Sequence, residues 1–235
     1  MRTRLVFLPS NSERRLVLCY VTDRQLIPRA AAGDVREALL EKIEAAAAAG
    51  VDWIQIREKD LSGKDCAQLT HSAIRRSANS AASRVTPAKI AVNDRLDIAL
   101  SEGASGVHLS ERGLPISHTK RLVNSLGRSR EFRVGKSCHS LEAGKSAEKS
   151  GADYIFFGPV FATPSKAAYG PSQGLEHLAR VCRAVSIPVI AIGGITLANC
   201  PACLAAGASG IAAIRLFQDA PDLAAVVGNL RNLSS

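Results

Sequence analysis

Several short groups of residues in this chain have the types and spacing to hold an anion. The stretch Gly151–Leu175 places Thr163, Ser165 and Lys166 within four positions. Two hydroxyls and a compact cation are a set suited to an anionic oxygen. They follow the apolar run Tyr154–Phe157, which reads as a buried strand stopped by Gly158-Pro159. The loop that carries them is about fifteen residues long, more than the usual strand-to-helix link, and such loops commonly carry function. A second group, Gln55, Arg57 and Lys59, alternates with Ile54, Ile56 and Glu58. Along a strand that alternation puts the polar three on one face and the isoleucines on the other. Inward Gln, Arg and Lys are costly unless they meet an anion. Further polar groups are Asn93-Asp94, then His108, Ser110 and Glu111, then Ser137 and His139. Gly193-Gly194, followed by Ile195 and Thr196, has the form of a phosphate loop in which backbone N–H groups approach the ligand. Taken singly, each group is also what an ordinary solvated loop contains.

The elements that would position these groups follow from a faint internal repeat. An alanine-rich helical run ends in glycine, followed by a small residue, a polar one and an apolar strand. It occurs at Gly50-Val51-Asp52-Trp53-Ile54 and at Gly151-Ala152-Asp153-Tyr154-Ile155, with relatives at Gly103 and Gly207. Each glycine stands where a helix end needs a left-handed residue. Spacings of about fifty residues leave room for two βα units each, or about eight in all. Strands are expected at Leu16–Thr22, Trp53–Arg57, Lys89–Val92, Gly106–Leu109, Arg133–Ser137, Tyr154–Gly158, Val189–Ile192 and Gly210–Ile214. Amphipathic helices are expected between them, among others at Val35–Ala48, Leu141–Ser150, Leu175–Ala184 and Leu197–Ala206. Strand and helix alternating eight times predict an α/β protein with a single (β/α)8 TIM barrel. The domain division expected is a basic N-terminal extension over 1–15 and one barrel over 16–235. In such a barrel chemistry sits at the C-terminal ends of the strands, where all the polar groups above fall.

Composition narrows the function classes. Of 235 residues 46% are hydrophobic, enough for a large core, and no apolar run approaches the length of a membrane span. The net charge is +9, but with only 4% aromatic residues the chain is poorly supplied with base-stacking platforms. The basic stretches 1–15 and Arg112–Arg133 read as solvated faces, so neither a nucleic acid nor a membrane is expected as partner. Six cysteines without a secretory signal point to reduced thiols in a cytoplasm. Cys200-Pro-Ala-Cys203 has the spacing of half a zinc or redox site but no second pair, and reads as structural.

In order along nearly the whole chain stand LCYVTD (18–23), GVDWIQIREK (50–59), VNDRLDIAL (92–100), GVHL (106–109), GKSCHSLEAG (135–144), GADYIFFGPVFATPSK (151–166), QGL (173–175) and IPVIAIGGI (187–195). Together these segments resemble the family of thiamin-phosphate synthases and thiazole tautomerases. The resemblance implies an enzyme of thiamin biosynthesis that joins hydroxymethylpyrimidine diphosphate to thiazole phosphate and releases pyrophosphate. The pyrimidine methylene would part as a cation that the thiazole nitrogen captures. By the same resemblance Arg57, Lys59, Asn93 and the catalytic Lys166 would grip the pyrophosphate, with Gln55 beside them. Asp94 would bind Mg2+. Thr163, Ser165 and the Gly193-Gly194 backbone would lie on the thiazole-phosphate side, and Ser137 would line the pyrimidine pocket.

Two residues depart from the family pattern. Where a second magnesium aspartate is expected this chain has Gly113, and Glu111 is the nearby carboxylate that could replace it. After the eighth strand Arg215 stands where a small hydroxyl residue is usual, either binding phosphate or filling the site. These departures leave an alternative, a metal-independent tautomerase acting on a thiazole carboxylate phosphate with His139 as proton carrier. A barrel that binds thiamin precursors without catalysis is a third reading.

Overall fold

The computed structural model describes residues 15–27, 34–80, 87–163 and 172–233. Eight strands alternate with helices along the chain: β1 (Val17–Val21), α1 (Val35–Ala49), β2 (Trp53–Ile56), α2 (Gly63–Asn79), β3 (Lys89–Asn93), α3 (Leu96–Ser101), β4 (Gly106–Leu109), α4 (Ile116–Ser125), β5 (Arg133–Cys138), α5 (Leu141–Lys149), β6 (Tyr154–Phe157), α6 (Gly174–Ala184), β7 (Val189–Ile192), α7 (Cys200–Ala205) and β8 (Gly210–Ala213). The short α8 (Arg215–Gln218) and α9 (Leu223–Asn232) follow. Each strand pairs in parallel with the next, and β8 pairs with β1, so the sheet closes into a barrel. A parallel sheet needs crossovers that cover its outer face, and the helices supply them.

Alternation along each strand divides the apolar residues into two layers. Val17, Cys19, Val21, Trp53, Ala91, Phe156, Ile190 and Ala212 fill the barrel. Their neighbours, such as Leu18, Ile54, Ile56, Leu109 and Ile155, join the belt under the helices. Burying each such aliphatic side chain stabilises the fold by roughly 1.5–3 kcal/mol. Gln55 shares the phase of Trp53 and is buried inside the barrel, while Ile54 and Ile56 face the helices, as the alternation predicts.

The internal repeat has a physical basis at the N-terminal ends of the strands. Gly50, Gly103, Gly151 and Gly207 all take positive φ where a helix hands over to a strand. Two residues after the first of them, Asp52 accepts a hydrogen bond from the Leu18 amide at 2.7 Å. Asp153 accepts one from the Val134 amide at 2.6 Å. Each aspartate thus ties its own strand to the first residues of the strand before it. Arg231 of α9 pairs with Asp52 at 2.8 Å, and Lys120 and Arg133 serve Asp153.

Two expectations need adjustment. The last predicted helix begins at Cys200 rather than Leu197. Thr196 and Asn199 exchange side-chain-to-backbone hydrogen bonds of 2.8 and 3.2 Å, a turn that competes with helical pairing there. The basic stretch Arg112–Arg133 is only partly a solvated face. Arg128 donates to the Leu100 carbonyl at 3.0 Å and lies over the Phe132 ring, and Lys120 and Arg133 are drawn in by Asp153. Residues 1–14 of the expected N-terminal extension lie outside the described residues; Arg15 pairs with Asp52 at 3.6 Å. No helix among the described residues is long and apolar enough to cross a membrane.

Candidate active site

The strand exits bring most of the expected polar residues to the C-terminal mouth of the barrel. At the centre runs a hydrogen-bonded chain across three neighbouring strands. Gln55 Nε2 on β2 donates to Asn93 Oδ1 on β3 at 2.9 Å. Asn93 Nδ2 donates to Asp94 Oδ2 at 3.0 Å, and the Ser110 amide after β4 donates to Asp94 Oδ1 at 2.7 Å. The chain holds a carboxylate in a fixed place with one lone pair left on each oxygen. Asp94 takes a φ of +56°, a left-handed conformation that is strained for a residue other than glycine. Such strain persists where the surroundings over-determine it, and it concentrates at functional sites.

Beside this chain stand the two cations of the β2 exit. Arg57 is half-buried and Lys59 exposed. The Lys59 ammonium is held below its usual range, first by the Arg57 charge and then by burial. Two like charges kept side by side repel, and an anionic ligand between them would remove that cost. The loop is fixed from beneath: Thr22 donates to the buried Glu58 carboxylate at 2.6 Å and accepts from the Arg57 amide at 3.0 Å. Arg24 grips Asp60 through both terminal guanidinium nitrogens, at 2.6 and 2.8 Å. Thr22, Glu58 and Arg24 therefore frame the cations, a role that no sequence motif announced.

The β6 and β7 exits meet at Gly193-Gly194. Both glycines have positive φ, and a Cβ on Gly193 would lie 2.5 Å from Pro159, one on Gly194 2.7 Å from the Ala162 carbonyl. The Val160 amide donates to Ile192 and the Phe161 amide to Gly193, so the two loops pair edge to edge. Thr163 is half-buried at the end of the described part of that loop. Ser165 and Lys166 lie outside the described residues. Arg215 is exposed at the first position of α8.

On β5, the half-buried Ser137 has its Oγ 2.9 Å from His108 Nε2. His108 is fully buried, and its pKa is pushed down to about 3 by that burial and by the Lys136 and Arg57 charges. His139 sits outside this pair, with Nδ1 against the Gly158 carbonyl. Lys136, which the sequence reading passed over, is half-buried; its ammonium is held low by burial and favoured by the nearby Asp94 and Glu111 carboxylates.

The metal corner differs from the one expected of two carboxylates. A Cβ on Gly113 would lie 2.6 Å from Asp94 Oδ1, so Asp94 occupies the space where a side chain would begin. Glu111 is exposed, and no group of three His, Cys, Asp or Glu gathers among the described residues. The donors nevertheless suit Mg2+, which is commonly held by one or two carboxylates with substrate phosphates and water. The Cys200–Cys203 pair is not a ligand set: both thiols are buried in α7 and pushed up, to about 11 and about 12, by burial.

A cavity of about 40 Å³ lies deeper in the barrel, lined among others by Cys19, Trp53, Ala91 and Phe156, with Gln55 above it. It is apolar and belongs to the end away from the strand exits.

Comparison with known proteins bears on most of the chain. A family model described as thiamine monophosphate synthase matches residues 18–217. A thiamine-phosphate synthase of Methanocella arvoryzae is 42% identical over 190 residues, 81% of this chain and 84% of the relative. One of Methanoculleus marisnigri is 42% identical over 187 residues, 80% of this chain and 83% of the relative. The solved structure of a thiamine phosphate pyrophosphorylase from Pyrococcus furiosus superposes with a TM-score of 0.76 at 31% identity, covering 94% of this chain and 96% of that one.

Proposed function

The chain belongs to the thiamine monophosphate synthase family, and from that premise we propose how its strand exits carry out the family's reaction. The activity is formation of thiamin phosphate, a transfer in which hydroxymethylpyrimidine diphosphate is coupled to thiazole phosphate and pyrophosphate departs. The observation that carries the assignment of residues is the chain Gln55–Asn93–Asp94–Ser110 beside the Arg57 and Lys59 charges.

Separation of a diphosphate from a methylene carbon leaves a carbocation stabilised by the amino-pyrimidine ring. Such a step needs the leaving charge to be met where it develops, more than it needs a base. Arg57, Lys59 and Lys166 supply that charge, and Asn93 orients the oxygens. Asp94 would hold Mg2+, with Glu111 as the outer carboxylate, and the ion when bound would neutralise diphosphate oxygens. Thr163, Ser165 and the Gly193-Gly194 backbone take the thiazole phosphate, so that the ring nitrogen meets the cation from the β6–β7 side. Arg215, exposed at the start of α8, is assigned to the outer edge of that phosphate. Ser137 holds the pyrimidine ring. A cytoplasmic setting belongs to the same reading, since all six cysteines are free thiols and five are buried.

The test is direct. The purified protein with both substrates and Mg2+ is expected to release thiamin phosphate and pyrophosphate in equal amounts. Turnover of a thiazole carboxylate tautomer without Mg2+, and no coupling of the two substrates, would instead place the chain with the tautomerases. Binding of either precursor with no turnover in both assays would make it a non-catalytic binder.

A further inference from the structure

We propose that His108 and Tyr154 are positioning residues that fix the polarity of Ser137, so that its hydroxyl donates to an acceptor atom, a ring nitrogen, of the pyrimidine substrate. The inference rests on the functional reading above and deepens it at one contact.

The geometry comes from three strands. His108 on β4 is opposite Gly135 on β5, and Gly135 is opposite Tyr154 on β6. A Cβ on Gly135 would lie 2.2 Å from the Tyr154 ring, so this glycine is what lets the phenol fold over β5 toward the histidine. The Tyr154 hydroxyl lies 3.3 Å from His108 Nδ1, and Ser137 Oγ lies 2.9 Å from Nε2. The imidazole is clamped by Phe156, whose ring centroid is 4.0 Å away, and by Tyr154 at 5.6 Å.

This arrangement decides where the protons are. His108 is buried and neutral, so one ring nitrogen carries a proton and the other accepts. Tyr154 is held in its phenol form by burial, and a phenol is a stronger donor than an aliphatic hydroxyl. Its proton points to His108 Nδ1, which is then the acceptor. The ring proton is accordingly on Nε2 and is donated to Ser137 Oγ. Having accepted that bond, Ser137 directs its own proton away from His108, toward the barrel mouth. An aromatic ring nitrogen fits that donor. With the opposite tautomer, Ser137 would spend its proton on His108 and could only accept from a substrate.

Three measurements test this. In protein labelled with 15N-histidine, the His108 signal, assigned by its loss in His108→Phe, is expected to show a protonated Nε2 and an unprotonated Nδ1. Tyr154→Phe, which keeps the ring and its packing, is expected to raise KM for the pyrimidine diphosphate about tenfold, the scale of one hydrogen bond, while KM for thiazole phosphate stays unchanged. Ser137→Ala and His108→Phe are expected to raise the same KM, and the double variant to be no worse than the more affected single one, as for residues acting in series. A His108 proton on Nδ1, an unaltered pyrimidine KM in Tyr154→Phe, or additive effects in the double variant would each overturn the proposal. Where coupling activity is absent altogether, the functional reading fails on its own. The tautomer and the calorimetric affinity for pyrimidine diphosphate then still decide the polarity of Ser137.

Discussion

Asp94 and Gly113 are in steric register: the carboxylate oxygen of the first lies 2.6 Å from where a Cβ on the second would stand. The same oxygen accepts from the Ser110 amide at 2.7 Å, and the other accepts from Asn93, so the carboxylate has little freedom to retreat. Gly113→Ala is therefore expected to displace Asp94 while costing the fold only on the order of 1–3 kcal/mol, as overpacking commonly does. Measured Mg2+ dependence is the readout, with the concentration needed for half-maximal rate rising about tenfold as one charge-assisted contact weakens. An unchanged Mg2+ curve in a folded Gly113→Ala variant would remove Asp94 from the diphosphate site.

Glu111 stands two residues before Gly113 and is exposed, yet it bears electrostatically on Lys136 and Cys138 behind the rim. An outer carboxylate of this kind would contribute through a metal-bound water or a substrate oxygen. Glu111→Gln keeps the size and removes the charge. It is expected to raise the Mg2+ requirement several-fold, at unchanged thermal midpoint, by the loss of one exposed charge interaction. Identical Mg2+ titrations for the variant and the parent protein would leave Asp94 as the sole protein carboxylate at the metal.

How legible these sites were depended on whether a residue's role lies in its own strand or across strands. The inward place of Gln55 is legible because period-two alternation fixes which face it occupies, and the structure has it inward with Asn93 as partner. The repeat around Asp52 and Asp153 was visible as a pattern, but its cause was not. Each aspartate caps the amide of a residue that is distant in sequence, Leu18 or Val134, and only the pairing of consecutive parallel strands, β1 with β2 and β5 with β6, brings them together. The sequence places His108 and Ser110 at a strand exit; Ser110 lies there, whereas His108 is buried within β4, and the His108–Ser137 pair needs the β4–β5 register to be seen. Lys136 went unread because on an expected strand its phase is that of the outer, helix-covered face. Thr22 and Glu58 look like ordinary residues of a strand end, and their value lies in a hydrogen bond across 36 positions.

Lys166 and His139 separate the synthase from the tautomerase. In diphosphate departure Lys166 would meet developing negative charge, and removing one such electrostatic contact commonly costs on the order of 10²–10³ in rate. His139 makes its ring contact with the Gly158 carbonyl, which orients it beside the β6 loop without placing it on the Gln55–Asn93–Asp94 chain. Lys166→Ala is expected to lower kcat by that factor in the coupling assay, and His139→Ala by less than about tenfold, well below the 10²–10⁴ of a lost general acid–base. The reverse order, in a tautomerisation assay that runs without Mg2+, would assign the proton-carrier role to His139.

The buried state of His108 also sets how the protein responds to acid. Its pKa is pushed down to about 3, first by burial and then by the Lys136 and Arg57 charges, while an unfolded histidine titrates near 6.5. Between these two values the unfolded chain binds a proton that the folded protein refuses, so acid favours unfolding. The stability this group contributes is complete above about pH 6.5 and is lost as pH falls toward about 3, at roughly 1.4 kcal/mol per pH unit. Phenylalanine at position 108 would keep much of the ring packing against Phe156 without the titration. Urea unfolding of the parent protein and of His108→Phe at pH 7 and pH 4.5 therefore forms the test. The parent is expected to lose roughly 2–3 kcal/mol more than the variant over that interval. Equal losses in the two proteins would mean that His108 becomes protonated within the fold and that the Tyr154–His108–Ser137 polarity does not survive acid.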